Sequence, residues 1–215
     1  MGQIYNNFIY MISSNMNFRI LIFISLITMQ LGAQNKFSAA ATLGFTAAQL
    51  GGDGISGYDK LGMVAGLKLG YPISKKWDLN MDLLYSQRGS RSSFGVGSGV
   101  DSLTKLNYIE IPVYITLNDW YVESENYNKV GAFAGLSYGY LISVQSNQRI
   151  FDGNEGSFNK TDLSGRIGVY YSFTKSLTFR TYYTDAFLRL YNSEELNNTD
   201  SLDSFFWTFR LEYNF

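Results

Sequence analysis

The sequence predicts an all-β fold: an eight-stranded antiparallel up-and-down transmembrane β-barrel of a bacterial outer membrane. Three observations lead there. Eight segments alternate apolar and polar residues with a period of two, the signature of strands with one apolar face. The connections between them alternate in length, short then long, as in barrels with tight turns on one rim and loops on the other. Ionisable residues in mid-segment sit on the polar face, which is the reverse of what a water-surrounded barrel would show.

The chain opens with an export signal. Met16-Asn17-Phe18-Arg19 precedes the apolar run ILIFISLITMQL and then Gly32-Ala33-Gln34, so a basic residue, an apolar core and small residues follow in order. Cleavage after Ala33 leaves Gln34 as the first mature residue. Residues 1–33 are thus the signal, with residues 1–15 as an upstream extension if translation starts at Met11 or Met16, and residues 34–215 are the barrel domain. The apolar run is shorter than the roughly 20 residues of a spanning helix.

The strands follow. In FSAAATLGFTAA, Phe37, Leu43 and Phe45 share a face and Ser38, Thr42 and Thr46 lie opposite. LGMVAGLKLGY sets Leu61, Met63, Leu67 and Leu69 against Gly62, Gly66 and Lys68. WDLNMDLLYSQRGS sets Trp77, Leu79, Met81, Leu83 and Tyr85 against Asp78, Asn80, Asp82, Ser86 and Arg88. NYIEIPVYITL separates Ile109, Ile111, Val113 and Ile115 from Tyr108, Glu110 and Tyr114. VGAFAGLSYGYLI, LSGRIGVYYSF, LTFRTYYT and FFWTFRLEYNF repeat the pattern, with Ser137, Arg166, Arg180, Arg210 and Glu212 on the polar side. Links at PISKK and TKS are short; 50–60, 90–103, 145–160 and 190–204 are long and rich in Gly, Ser, Asn and Asp. NDWYVESENYN, Asn118 to Asn128, reads as a long turn on the short side.

Charge placement decides which face is inside. Mid-strand charges are Lys68, Asp82, Glu110, Arg166, Arg180 and Arg210, whereas Lys105, Lys129, Asp185 and Asp203 lie near segment ends. A lipid-facing charge at the midplane costs about 2–4 kcal/mol, so the cleared apolar face is the outward one. Tyr71, Trp77, Phe173, Tyr213 and Phe215 near the short turns suit an interfacial girdle. The competing fold, a soluble periplasmic lipocalin-like barrel, conflicts with the mid-strand charges.

An eight-stranded barrel is just wide enough for its own side chains. Counting across the first short turn puts Lys68 opposite Asp82, an opposite-charge cross-strand pair. Glu110, Arg166, Arg180, Arg210 and Glu212 extend it into an interior network, Tyr108, Tyr114, Tyr170 and Tyr182 supply hydroxyls, and glycines make room. The expectation is a plugged lumen without a continuous water channel.

Composition narrows the function. Of 215 residues 16% are charged, against about 25% in ordinary soluble domains, and the net charge of -1 gives no reason to expect nucleic acid. Cysteine and histidine are both absent. Disulfides, thiolate metal sites and a lipid-anchored cysteine are thereby excluded, and the commonest general base is missing. Weaker motifs have plainer readings. GFTAAQLGGDG lacks the Gly-Lys-Ser/Thr ending of a phosphate loop. DGNEGSFN misses the calcium-loop spacing. Asp185 has no histidine to form a hydrolase site with. Glu194, Glu195, Asp200 and Asp203 make an acidic loop that reads as a hydrated one.

LGMVAGLKLGYPISKKWDLNMDLLYSQRG, NYIEIPVYI, VGAFAGLSYGYL and the terminal LEYNF resemble the PorT-like outer-membrane β-barrel family of Bacteroidota. Tyr85-Ser86-Gln87-Arg88-Gly89 and Tyr108-Ile109-Glu110-Ile111-Pro112 match its two most recognisable stretches, and the resemblance runs over about residues 37–215. It implies an outer-membrane location, and the family's named member is linked to type IX secretion. Phe215, with Tyr213 two before it, resembles the C-terminal signal read by the barrel-assembly machinery.

The expected function is a non-enzymatic outer-membrane barrel without cofactor or metal, structural or accessory to an envelope or secretion assembly. Its expected partners are outer-membrane lipid and lipopolysaccharide, the assembly machinery during biogenesis, and envelope proteins at a periplasmic surface of Trp120, Tyr121 and Tyr127. The alternatives are a ligand-binding surface on the loops at 90–103 and 145–160, and a small-solute channel.

Overall fold

Eight consecutive antiparallel strands close on themselves in a computed structural model that describes residues 37–51, 58, 60–91, 103–147, 158–190 and 203–215. They are β1 (Ser38–Gly51), β2 (Lys60–Pro72), β3 (Trp77–Arg91), β4 (Leu103–Val122), β5 (Tyr127–Ser146), β6 (Thr161–Ser172), β7 (Leu177–Ala186) and β8 (Asp203–Asn214). Each pairs with its neighbour in sequence, and β1 closes the barrel against β8 with Leu43 opposite Leu211. The Phe215 N–H donates to Ala39 O at 3.0 Å, so the ladder runs to the last residue. Among the described residues, closure pairs every strand of the barrel wall on both sides, the condition for strands to cross hydrocarbon.

The faces are as the alternation predicts. Leu43, Leu61, Leu67, Leu83, Val113, Leu136, Ile167 and Leu211 point outward and are exposed, while Thr46, Asp82, Glu110, Arg166, Thr208 and Glu212 point inward and are buried. Trp77, Phe173, Tyr213 and Phe215 are exposed around the short-turn rim, with the Tyr213 and Phe215 rings edge to face at 5.8 Å. Asp185 and Asp203 lie on the outer surface at strand ends, so Asp185 is away from any interior chemistry.

Two tight turns span residues 73–76 and 173–176. In each, a hydroxyl accepts a backbone N–H: Ser74 Oγ from Trp77, and Thr174 Oγ1 from Leu177. The third connection on this rim differs from the expected long turn. Instead of a loop over Asn118 to Asn128, β4 and β5 continue as a paired hairpin to Val122 and Tyr127, closed by a four-residue turn at 123–126. Its polar residues are ladder positions beyond the barrel wall, where no buried face imposes alternation. Asn126 takes the left-handed conformation (φ 57°) that the turn needs.

A bulge interrupts the β4–β5 register at Asn107/Tyr108. On the neighbouring strand Gly89 has φ 137°, and a Cβ there would lie 1.9 Å from Thr104 O, so only glycine fits. The expected export signal at 1–33 and the hydroxyl- and acid-rich parts of the long connections lie outside the described residues, as do Glu194, Glu195 and Asp200.

Candidate functional site

The inward side chains form layers along the barrel axis, and two ionic clusters occupy the middle. In the first, Glu212 on β8 accepts from Lys68 Nζ at 2.7 Å and Arg180 Nε at 2.8 Å, and pairs with Arg210 Nη2 at 2.8 Å. Arg210 also donates to Asp82 Oδ2 at 2.7 Å, and the Tyr114 hydroxyl donates to Asp82 Oδ1 at 2.9 Å. In the second, Glu110 accepts from Arg88 Nε at 3.2 Å and Arg166 Nη2 at 2.9 Å, while Arg88 Nη1 reaches Asp162 at 2.5 Å. None of these side chains is more than 9% exposed. Charges so buried persist only because each is paired; an unpaired one costs several kcal/mol.

Aromatic faces carry the remaining surface of the cations. Arg180 lies 4.5 Å from the Phe133 ring centroid, and Arg88 lies 4.5 Å from Tyr108 and 4.3 Å from Phe206. Tyr182 stands between the clusters, with Arg166 at 5.0 Å and Arg210 at 5.3 Å from its ring. Small inward residues make this possible. A Cβ at Gly135 would meet Tyr114 Cβ at 2.4 Å, and one at Gly168 would meet Tyr182 Cβ at 2.5 Å.

All seven interior residues named from the sequence, Lys68, Asp82, Glu110, Arg166, Arg180, Arg210 and Glu212, thus meet in the lumen, but in two clusters. The pairing also differs. Lys68 and Asp82 are opposite in register, yet Lys68 binds Glu212 and Asp82 binds Arg210. The reason lies on β1: Ala40 faces Lys68 and Thr42 faces Glu212, both small, so Lys68 passes over β1 to the strand beyond. Arg180 and Arg210 are themselves register partners, a repulsive arrangement that Glu212 resolves by bonding both.

Of the four interior tyrosines, Tyr114 and Tyr170 use their hydroxyls, the latter donating to Asn118 Oδ1 at 2.7 Å. Tyr108 and Tyr182 act through their rings instead, and the Tyr108 hydroxyl has no hydrogen-bond partner among the described residues. Arg88 and Asp162 complete the second cluster and were absent from the expected network, although both stand at inward positions of their strands. The interior is also less uniformly polar than expected. Toward the long-connection end, Leu50, Leu106, Tyr108, Leu141, Phe158 and Leu190 form an apolar plug.

At the short-turn end two features adjoin. One is a polar vestibule of about 160 Å³ above Lys68 and Arg180. The other is the β4–β5 hairpin, which with Lys75 and Lys76 bounds a groove of about 480 Å³. Trp120 and Tyr121 line this groove and are 60% and 54% exposed. Tyr127, expected on the same surface, is half-buried and lines the vestibule instead. Trp120 has φ 53°, an outlier for a bulky residue, and Lys129 Nζ sits 4.7 Å from its ring centroid. The Tyr121 hydroxyl donates to Asn126 Oδ1, tying the strand to its own turn.

Comparison with known proteins gives one family. Its model, described as an outer membrane protein beta-barrel domain, matches residues 30–192. Among solved structures, Neisserial surface protein A is 16% identical with a TM-score of 0.51, over 83% of this chain and 97% of that one. Ail, the attachment invasion locus protein of Yersinia pestis, solved with the heparin analogue sucrose octasulfate, is 17% identical with a TM-score of 0.46, over 84% and 99%. Such identities speak to the fold alone. No curated protein matches the chain.

Proposed function

This chain belongs to the outer membrane protein beta-barrel domain family, and from that premise we propose that it is a non-enzymatic barrel accessory to an envelope assembly. The β4–β5 hairpin is the part it presents to a partner, and that hairpin carries the reading. Two other connections on the same rim are four-residue turns, whereas this one continues as a ladder that ends in exposed Trp120 and Tyr121. Aromatic residues of this kind are favoured in interface cores. A tryptophan held at φ 53° costs about 1–3 kcal/mol, a cost expected where a side chain is aimed for use.

Outer-membrane barrels keep short turns in the periplasm, which places the hairpin and both termini of the barrel there. The resemblance of the YSQRG and YIEIP stretches to the PorT-like family makes a secretion-linked envelope protein the favoured partner. The outward face meets outer-membrane lipid and lipopolysaccharide, and Tyr213 and Phe215 engage the assembly machinery during insertion.

A photo-crosslinking residue in place of Tyr121, in the full chain in intact cells, is expected to give a discrete protein adduct. The same residue in place of Lys175, on another turn, gives none, and Trp120→Ser reduces the Tyr121 adduct about tenfold, an interface-anchor loss. Identical adducts at both positions, or none at either, would remove the hairpin as a partner surface.

Residues 1–33 are the export signal in this reading. The intact mass of protein recovered from outer membranes should correspond to a chain beginning at Gln34, and a mass retaining the apolar run would make that segment an anchor instead.

A further inference from the structure

The first ionic cluster is unbalanced. Lys68, Arg180 and Arg210 bring three positive charges, and Asp82 and Glu212 two negative ones, for a net charge of +1 in a buried layer. The second cluster is neutral, with Arg88 and Arg166 against Glu110 and Asp162. Directly above the unbalanced cluster lies the vestibule of about 160 Å³, and Lys68 and Arg180 form its floor.

Three further observations give this cavity a ligand chemistry. Arg180 Nη1 is buried and has no hydrogen-bond partner among the described residues, although the same guanidinium uses Nε and Nη2 on Glu212. At the rim Lys175 adds a second layer of positive charge. The one lining carboxylate, Asp78, has an oxygen already engaged by Asn118 Nδ2 at 2.6 Å. Lys175 and Asp78 offset each other, so vestibule and cluster together keep the net charge of +1. The strand residues of the lining, among them Lys68, Asn80, Thr116, Thr178 and Arg180, are buried and inward-facing, on the side of the wall away from lipid.

We propose that this vestibule is a binding site for a phosphate-sized oxyanion drawn from the periplasmic solution. The anion pairs with the Lys68 ammonium and the Arg180 guanidinium, and it neutralises the surplus charge of the cluster beneath. A buried cation without a full set of partners is costly, and a bound anion relieves that cost. The site adjoins the hairpin groove and shares Asn118 and Asn128 with it, but its chemistry rests on Lys68 and Arg180 and stands or falls independently of the partner reading.

The test is binding of inorganic phosphate to the full-length protein, folded in detergent, by equilibrium dialysis with radiolabelled phosphate at fixed ionic strength. One saturable site is expected. Lys68→Met weakens it about tenfold, the loss of one nearby charge in a partly screened site. Asp78→Asn tightens it by about threefold or more, since a like charge leaves the rim. Misfolding cannot produce that gain, and gel mobility, unheated against boiled and compared with the wild type, checks that each variant is folded. Absence of saturable binding to the wild type, or an Asp78→Asn variant that binds no better, overturns the proposal.

Discussion

Glu212→Gln is expected to destabilise the barrel by about 3–5 kcal/mol, the penalty for stripping a buried cation of its carboxylate. Glu212 is the shared acceptor of Lys68, Arg180 and Arg210, and among the described residues only Arg210 of these has a second acid, Asp82. The glutamine keeps the shape and a carbonyl acceptor but removes the charge, so the loss reads electrostatics rather than packing. Urea unfolding in lipid vesicles, followed by unheated against boiled gel mobility, measures it. The double variant Glu212→Gln, Lys68→Met should recover at least about 1 kcal/mol, because the two sites are coupled through one ion pair. A single variant within about 0.5 kcal/mol of wild type would show that the interior network does not hold the barrel together.

Leu67→Arg tests the opposite face. Leu67 is 57% exposed and projects outward from mid-β2, one residue before inward Lys68. If hydrocarbon covers it, an arginine there costs about 2–4 kcal/mol and reduces insertion into vesicles; on a water-facing surface the same change is close to neutral. Ser74→Arg, in the exposed β2–β3 turn, is the control and should change little. Equal stabilities for the two variants would mean that the outer face is not in lipid.

Much of this architecture is legible in the sequence because the two faces of every strand meet opposite physical demands. Hydrocarbon clears charge from one side and a narrow lumen demands paired charge on the other. Parity alone therefore orients Leu43, Leu67, Val113 and Leu211 outward, and Asp82, Glu110 and Arg166 inward. Partner choice is not legible in the same way. Register counting finds Lys68 opposite Asp82, but long side chains in a closed barrel reach past small residues to other strands. The identity of Ala40 and Thr42 on β1 decides the outcome, and β1 is remote in sequence from Glu212. Arg88 and Asp162 have inward parity but stand near the ends of β3 and β6, where an ionisable residue does not by itself distinguish the two faces. No residue of the hairpin from Asp119 to Lys129 is fully buried, so its strands carry no periodic signal. Leu50, Leu106 and Leu141 break the simple rule that inward means polar, because near the long-connection end they pack on Phe158 and Leu190 rather than on ions.

The position of Glu212 and Arg210 on the final strand has a consequence for biogenesis. These two residues arrive last along the chain, yet Lys68, Asp82 and Arg180, already in place, have no other ion-pair partners among the described residues. A chain with seven strands in the bilayer therefore holds an open seam and three charges without the ion pairs of the closed barrel at once. Sealing β8 against β1 completes the ladder and quenches those charges in one event, so the ionic cluster works as a latch. Partly zipped forms gain little until the last strand docks, so a chain truncated before Arg210 is expected to stay open rather than close as a smaller barrel.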